Sequence, residues 1–454
     1  MLLTIVAFVS ALGLLIAVHE YGHYRVAVAC GVKVLRFSVG FGKPLLRWQP
    51  KGSPTEFIVG AFPLGGYVRM LDEREGTVPP HEKHLAFNNQ PLRSRAAIVA
   101  AGPAANLLLA IFLYAIVNWG GVQEPRAVLA SPVMGSVAQV AGLRGGELVE
   151  RAALGDDELE PVRSFEDLRW LLTRGALEGG TVRLDVGSPR GAGHREIVLD
   201  MSTIDAKDAD AQLFRKIGIV GPWTRPVLGE IMADSAAQRA GLLQGDVVLQ
   251  IGATEVVDGQ QLREAIRQSV KGGEPVSQLW RLERSGQVVA IDVLPEVKQE
   301  SDAAVARIGA YVGAPPEFVT VQYGPFEGAW AGVVKTWDVS LLTLRMMGRM
   351  VIGEASLKNL SGPLTIADYA GRSASLGLTQ YLVFLALISV SLGVLNLLPL
   401  PVLDGGHLMY YLWEGVTGRQ VSDAWMDRLQ RAGVAVLLLM MSIALFNDVT
   451  RLFG

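Results

Sequence analysis

Uncharged apolar stretches divide the chain into predicted membrane-spanning and aqueous regions. A helix that crosses a lipid bilayer needs roughly 20 largely apolar residues. Three stretches without a charged residue approach or exceed that length: Leu2–Val18, which stays largely apolar as far as Cys30, then Ala96–Gln123 and Ser373–Leu403. A fourth, Ala432–Asn447, is shorter and spans only if the charged residues that flank it reach the membrane interface. The pattern therefore predicts four spanning helices.

The first apolar stretch has an alternative interpretation as a secretory signal peptide. Ala27-Val28-Ala29 has the small-residue pattern of a cleavage site. The stretch begins without Lys or Arg, however, and Glu20 and two histidines interrupt the approach to that site. A retained spanning helix is therefore the favoured prediction.

The composition agrees with a chain that lies partly in lipid and partly in water. Half of the 454 residues are hydrophobic and 19% are charged, and 41 basic and 44 acidic side chains leave a net charge of -3. So small a charge argues against a nucleic-acid-binding function. The one cysteine, Cys30, excludes an internal disulfide and a thiolate-only zinc cluster, so a metal site would need His and carboxylate ligands.

The distribution of Lys and Arg predicts how the chain crosses the membrane. Residues 31–94 hold nine basic side chains and residues 405–431 hold three, whereas the N-terminus before the first helix has none. Short loops rich in Lys and Arg face the cytoplasm. The long region 124–372 is therefore expected outside the cytoplasm.

That long region contains an internal repeat. Residues 141–150 (AGLRGGELVE) align with residues 240–249 (AGLLQGDVVL), and each follows a Ser-led turn, Ser131-Pro132 in the first copy and Asp234-Ser235 in the second. Two copies of about 95 residues each predict two small α/β domains.

A capped amphipathic helix follows in each copy. Residues 164–172 match residues 258–266, and the offset between the copies falls from 99 to 94 residues. The change predicts a short insertion in the first copy at Gly155–Pro161.

The sequence of each copy resembles a bacterial PDZ domain. A Ser-led turn, Ala-Gly-Leu, Gly-Asp and alternating aliphatic residues carry the likeness, and PDZ domains bind an extended peptide as an added strand. Glu147 replaces the Asp in the first copy, which makes peptide binding there more doubtful than in the second. The alternative interpretation is that both copies are spacers.

Two further segments have features of a membrane protein. Gly328–Gly353 mixes tryptophans and aliphatic residues with charged ones, which favours an amphipathic helix on the membrane surface. Gly102–Asn106 (GPAAN) places small residues on the second helix, where they would allow it to pack closely against the first.

Candidate chemistry lies at the end of the first helix, in the H-E-x-x-H sequence that runs from His19 to His23. Two histidines four residues apart lie on one helix face and can bind one Zn²⁺, while Glu20 points at the metal-bound water. A third protein ligand is needed. Asp404 is the preferred candidate because it is the only acid in residues 373–411 and is predicted at the cytoplasmic end of the third helix; His407 is a competing ligand.

These motifs together resemble the site-2 protease family of intramembrane zinc metalloproteases. The likeness rests on the membrane HEYGH helix, the distant NLLPLPVLDGG segment and the intervening PDZ-like copies, and it covers essentially the whole chain. The resemblance implies that His19, His23 and Asp404 bind zinc and that Glu20 is the general base.

The same resemblance implies residues that contact the substrate. It extends to the Gly-rich PLGGYVRM segment, which is similar to the membrane re-entrant β-hairpin of the family, although read alone this segment would be a loop with a Gly-Gly turn. The implied substrate-binding residues are Asn396, Pro399, Pro401, Gly65, Gly66, Tyr67 and Val68.

The expected protein is thus a polytopic α-helical membrane protein with four spanning helices, two inserted PDZ domains and a re-entrant β-hairpin. The resemblance implies a bacterial inner-membrane location with a periplasmic PDZ pair that excludes intact substrates. It also implies two kinds of substrate, a pre-trimmed single-pass anti-sigma factor and remnant signal peptides.

A different class of function stays open: a PDZ-bearing membrane adaptor or chaperone with a structural metal site. The predicted divisions are a first spanning helix (1–30), a cytoplasmic loop with the hairpin (31–94), a second spanning helix (95–121), two PDZ domains (122–220 and 221–311), an extracytoplasmic membrane-surface helical region (312–372), a third spanning helix (373–404), a cytoplasmic loop (405–430) and a fourth spanning helix (431–448).

Overall fold

The computed structural model describes residues 2–187, 193–204, 213–300, 303–352 and 362–453. The chain forms two compact units, one made of residues 1–122 and 322–454 and the other of residues 123–321. The helices of the described residues are α1 (Leu2–Ala29), α2 (Leu92–Gly120), α3 (Val137–Val140), α4 (Phe165–Glu178), α5 (Leu213–Ile217), α6 (Ala236–Arg239), α7 (Gly259–Arg267), α8 (Pro325–Val351), α9 (Pro363–Ser375), α10 (Leu378–Asn396), α11 (Asp404–Thr417) and α12 (Asp423–Phe453).

The strands include two long ones in the first unit and many short ones in the second. They are β1 (Val34–Trp48), β2 (Glu56–Met70), β3 (Val122–Pro125), β4 (Leu148–Leu154), β5 (Glu160–Pro161), β6 (Thr181–Gly187), β7 (His194–Asp200), β8 (Leu228–Ile231), β9 (Val247–Ile251), β10 (Thr254–Glu255), β11 (Val270–Lys271), β12 (Glu274–Pro275), β13 (Gln278–Arg284), β14 (Gln287–Val293), β15 (Glu296–Glu300), β16 (Ala303–Arg307), β17 (Ala310–Val312) and β18 (Phe318–Val321).

Four helices of the described residues are long and apolar enough to cross a membrane. They are α1, α2, α10 and the part of α12 from Ala424 to Thr450. The prediction of four spanning helices is confirmed. Their apolar side chains include many exposed ones, such as Leu108, Leu438 and Phe446, as expected of surfaces that face lipid.

The segment predicted as the third spanning helix, 373–404, holds the whole of α10 and the turn that follows it. Helix α10 ends at Asn396, a turn follows, and Asp404 begins α11. Pro399 and Pro401 explain the break, because a proline has no N–H to donate and disfavours helical geometry in the residue before it. The predicted cytoplasmic connection 405–430 contains most of α11 and the start of α12, and its place on the cytoplasmic side stays a prediction.

Helix α8 covers most of the segment predicted to be amphipathic. It is not among the four candidate spans, and it packs on α2 through two glycines. A Cβ at Gly328 would lie 2.7 Å from the Trp119 ring, and one at Gly332 would lie 2.9 Å from the Ile111 carbonyl oxygen. Phe326 on this helix is exposed. Its position on the membrane surface stays a prediction.

Strands β1 and β2 form a small sheet in which the first part of β1 lies between two different segments of β2. Residues 36–39 of β1 pair with residues 66–69 on one side and with residues 56–59 on the other. The second half of β1, residues 44–48, pairs with residues 57–60. Within the described pairs, the end of β2 therefore has a neighbour on one side only, which makes it an edge strand.

The repeat is visible in the second unit as two sheets with the same strand order. The first is β5-β4-β6-β7 and the second is β10-β9-β13-β14. Helices α4 and α7 take equivalent places, with the N-caps Ser164 and Asp258 separated by 94 residues. Each copy has its own apolar core, which includes Leu168 and Leu184 in the first and Leu262 and Trp280 in the second.

The Ser-led turn of the first copy lies at Ser136 and not at the predicted Ser131-Pro132. Ser136 caps α3 by accepting from Gln139 N, and Ser235 caps α6 by accepting from Gln238 N, 99 residues further on. The cap needs a hydroxyl three residues before the N–H that it satisfies, and Ser136 meets that spacing.

Glu147 takes the place of Asp246 in the first copy without loss of the contacts. The Glu147 carboxylate accepts from Gly145 N at 2.7 Å and from Arg195 Nη2 at 2.7 Å. Asp246 accepts from Leu243 N at 2.8 Å and from Arg284 Nη2 at 2.7 Å. Burial raises the pKa of Asp246, but the hydrogen bonds from Arg284 and Leu243 N and the Arg284 charge together outweigh it and hold the pKa below its ordinary value.

Candidate metal centre

Three predicted ligands, His19, His23 and Asp404, converge in the first unit. The Nε2 atoms of His19 and His23 lie 3.2 Å apart because residues four apart on α1 share one face. Asp404 Oδ2, from the first residue of α11, lies 3.2 Å from His19 Nε2 and 3.6 Å from His23 Nε2. Among the described residues this is the one group of three such side chains close enough to hold a metal ion.

The donor set and its spacing fit zinc. Ligand atoms about 2.0–2.1 Å from a tetrahedral ion lie about 3.3–3.4 Å from one another. The three distances of 3.2, 3.2 and 3.6 Å are close to that value. Two imidazoles and one carboxylate also leave a fourth position open, as catalytic zinc sites do. The residues present therefore fit the ion.

A hydrogen bond on the far side of His23 orients its ring. His23 Nδ1 lies 2.8 Å from the Ile98 carbonyl oxygen of α2. A carbonyl oxygen only accepts, so Nδ1 carries the proton and the lone pair is on Nε2, which faces the cluster. The contact is the kind of outer support that metal-binding histidines usually have.

Asn106 of α2 gives His19 the equivalent support. Its side-chain amide lies 3.4 Å from His19 Nδ1, and its oxygen is buried without a hydrogen-bond partner in the orientation assigned. Oxygen and nitrogen of an amide are assigned from the hydrogen-bond network. Rotating the amide by half a turn lets His19 Nδ1–H donate to the oxygen, which pairs the ring N–H with the amide oxygen and directs Nε2 to the cluster.

Glycines allow the helices to approach at this point. The His23 ring occupies the space where a Cβ at Gly102 would be, and a Cβ at Gly22 would lie 2.8 Å from Ala105 Cβ. The predicted close packing of Gly102–Asn106 against the first helix is confirmed. Larger residues at either glycine would push α1 away from α2.

Asp404 is held by the turn before it and by an ion pair further along α11. Added Cβ atoms at Gly405 and Gly406 would overlap the carbonyl groups of residues 397–400, so the turn can fold against α11 only with glycines. Arg95 Nη2 of α2 donates to Glu414 Oε1 at 2.6 Å, and Arg95 is 9% exposed. Helix α2 thus positions both the histidines and the helix of Asp404.

Comparison with known proteins identifies the family. A profile of peptidase family M50 matches residues 7–440. The chain belongs to peptidase family M50. It is 40% identical over 461 residues to the regulator of sigma-E protease RseP of Escherichia coli, with 98% of each chain covered. It is also 40% identical over 468 residues to a protein of Ralstonia nicotianae named as a proposed zinc metalloprotease, with 100% of this chain and 99% of the relative covered.

The family match confirms the resemblance to site-2 proteases and the expected class of enzyme, a metalloprotease. It spans both units of the chain. The histidines, Glu20 and Asp404 of this M50 peptidase lie within the matched residues.

Glu20 lies on α1 beside the edge strand of the small sheet. A Cβ at Gly66 would lie 2.8 Å from Glu20 Cγ and 2.9 Å from Ile16 Cγ2. The glycine therefore lets the strand lie directly against the helix turn that carries Glu20. In this M50 peptidase the predicted base and the predicted substrate strand are neighbours.

The other predicted hairpin residues lie on the same strand. Tyr67 pairs with Ser38 and Val68 pairs with Phe37, while Gly65 precedes them with a φ of 112°, a backbone conformation that favours glycine. Arg36 donates to the Tyr67 hydroxyl at 3.4 Å.

The predicted residues near Asp404 divide into two groups. Asn396 is the last residue of α10, and Pro399 and Pro401 lie in the turn that leads to Asp404. His407, the competing ligand, is exposed and contacts the Tyr410 ring instead of joining the cluster. Asp404 is thus the residue brought to the two imidazoles.

Two residues that the sequence reasoning missed support this site, Asn106 and Arg95. The small-residue motif Gly102–Asn106 predicts only close packing at Asn106, and none of the predicted motifs includes Arg95. A usable signal existed, because a polar side chain within a membrane helix is costly and marks a functional contact.

Proposed function

We propose that this M50 peptidase is an intramembrane zinc protease that hydrolyses a peptide bond within the membrane segment of single-pass proteins. The convergence of His19, His23 and Asp404 beside Glu20 is the observation that supports it most directly. The names of the relatives, a regulator of sigma-E protease and a proposed zinc metalloprotease, agree with the proposal. Glu20 beside the cluster argues against the adaptor alternative, which needs no base.

His19, His23 and Asp404 would hold the ion and Glu20 would move the proton. When bound, zinc polarises the scissile carbonyl and acidifies the attacking water. Glu20 accepts a proton from that water as its oxygen bonds to the carbonyl carbon, and returns the proton to the amine nitrogen as the C–N bond breaks. Asn106 and the Ile98 carbonyl keep both imidazoles in the required tautomer.

The substrate must present its backbone in extended form. Every backbone group of a helix in lipid is hydrogen-bonded internally, so the segment has to unwind before attack. We propose that residues 66–69 bind the unwound substrate as an added strand. Asn396, Pro399 and Pro401 would contact the substrate near the turn that leads to Asp404. The sheet formed by β1 and β2 would enter the membrane, which agrees with the exposed side chains of its residues Phe41, Leu45 and Phe62.

The two repeat copies are proposed to be periplasmic PDZ domains that select substrates. Their matching sheets and the counts of basic residues support this assignment, with the metal centre near the cytoplasmic side of a bacterial inner membrane. The substrate would be an anti-sigma factor already shortened by another protease, or a remnant signal peptide. A purified protein in lipid vesicles should cleave a trimmed single-pass substrate, and failure with every such substrate would contradict the proposal.

Proline in the edge strand is expected to block substrate binding. Val68→Pro removes a backbone donor, so cleavage should fall while bound zinc stays constant. Leu45→Pro at the opposite edge of the sheet is the matched control and should leave cleavage intact. Rates on a transmembrane substrate and metal content measure the two effects, and unchanged turnover by Val68→Pro would show that the hairpin only connects elements.

Loss of the Asn106 amide is expected to weaken metal binding. Outer partners of this type typically contribute about 10–100-fold in affinity, so Asn106→Ala should lower zinc affinity by that order. Asn106→Asp retains an oxygen that can accept from His19 Nδ1–H and should bind zinc more tightly than Asn106→Ala. Competition with a chelator measures the affinity. Equal affinity of Asn106→Ala and the unmodified protein would exclude Asn106 from this role.

A further inference from the structure

Asp258 joins the two repeat copies by a hydrogen bond that its capping role does not require. Its side chain is 0% exposed. Oδ1 accepts from Gln261 N at 2.7 Å and so caps α7, while Oδ2 accepts from Ser131 N of the first copy at 2.5 Å. One buried carboxylate therefore holds the helix of one copy and the backbone of the other.

The equivalent position in the first copy shows what the cap alone needs. Ser164 caps α4 with a single oxygen, which accepts from Asp167 N at 3.3 Å. Serine and aspartate serve almost equally well as N-caps. The aspartate at position 258 adds a second acceptor, and that acceptor is the one bonded to the other copy.

The chain that connects the copies is held at the same place. Trp223 N donates to Val128 O of the first copy at 2.8 Å, and Gly259 N of the second copy donates to Thr224 O at 2.8 Å. A cavity of about 850 Å³ lies beside this junction and is lined by both copies, including Met134 and Glu264. The width of that cavity depends on the angle at the junction.

We propose that Asp258 is a positioning residue that fixes the angle between the two copies and thereby sets which substrates are rejected. The inference rests on the proposed selection by the PDZ pair. A hydrogen bond to a charged acceptor is stronger than a neutral one, and a buried donor left without a partner is costly. The carboxylate therefore makes the pair of copies stiff, and a stiff pair excludes large extracytoplasmic domains more sharply than a loose one.

The angle can be tested in the full-length protein by the distance between two spin labels. A Cys30→Ala background removes the one native thiol, and labels at Val198→Cys and Val288→Cys, which are 51% and 58% exposed, mark the two sheets. Asp258→Ser keeps a cap and removes the bridge, and Asp258→Asn keeps the shape and turns an acceptor into a donor. Both should broaden the distance distribution relative to the parent protein.

Selectivity is the second measurement, and a merely structural role would not change it. The ratio of cleavage rates for an untrimmed and a trimmed substrate should rise several-fold in both Asp258 variants, with the rate for the trimmed substrate unchanged. Ser164→Ala is the matched control, since it removes a cap within one copy and should leave both distance and ratio as in the parent.

The outcomes separate this inference from the proposed function. An unchanged distance distribution in both Asp258 variants overturns the inference, whatever the enzyme cleaves. A broadened distribution with an unchanged ratio overturns the role in selection. Absence of cleavage in the parent protein itself would instead overturn the proposed function, and the distances would still decide whether Asp258 fixes the angle.

Discussion

Replacing Glu20 by Gln is expected to abolish cleavage and leave the metal site filled. The amide has nearly the same shape as the carboxylate, but it cannot accept a proton from water. Loss of a general base typically costs about 10²- to 10⁴-fold in rate. Glu20 is outside the ligand cluster and contacts the Gly66 strand, so zinc content should stay at the level of the unmodified protein.

Single-turnover cleavage of a transmembrane substrate, with metal analysis of the same preparation, measures both quantities. Glu75→Gln is a suitable control because Glu75 is exposed and pairs with Arg69, away from the ligand cluster. A zinc-loaded Glu20→Gln protein that cleaves at the rate of Glu75→Gln would show that another group takes the proton.

The parts of this site that follow a local period could be predicted from the sequence. His19 and His23 are four residues apart in an apolar stretch, which is enough to place both imidazoles on one helix face. The choice of Asp404 used the scarcity of acids in that region, its predicted place at the cytoplasmic end of the third helix and the presence of the two histidines. These inferences use spacing and composition, and neither depends on how distant segments pack.

Contacts between distant segments could not be predicted in the same way. The Gly66 strand reaches Glu20, and Arg95 reaches Glu414, across 46 and 319 residues of chain. A polar side chain in a membrane helix indicates that it has a partner, but no local pattern reports which distant residue that partner is. Pro399 and Pro401 indicate a break in the apolar run, but the residues at which α10 ends and α11 begins depend on how the turn between them packs.

The repeat shows both cases in one region. The predicted fall in offset between the copies is seen in the helix N-caps. Ser136 and Ser235 are 99 residues apart, whereas Ser164 and Asp258 are 94 residues apart. The meaning of aspartate in place of serine at the last of these positions appears only when Ser131 of the other copy is seen beside it.

Removing any one of His19, His23 and Asp404 is expected to deplete the zinc, from about one ion per chain, because two protein ligands are too few to retain it. Detergent-purified His19→Ala, His23→Ala and Asp404→Ala proteins should all lose metal by elemental analysis, and cleavage should be lost with it. Asp404→Ala is the most informative of the three variants, because Asp404 belongs to a different helix and its replacement leaves α1 unchanged.

His407→Ala is the matched control for the third ligand. His407 lies on the next turn of the same helix as Asp404, was the competing candidate, and is exposed beside the Tyr410 ring. Its replacement should leave zinc bound, because its ring is not part of the cluster. Full occupancy in Asp404→Ala together with depletion in His407→Ala would assign the ligand role to His407 instead of Asp404. It would require α11 to rotate by about 60° and to shift by about 4.5 Å along its axis when the ion binds.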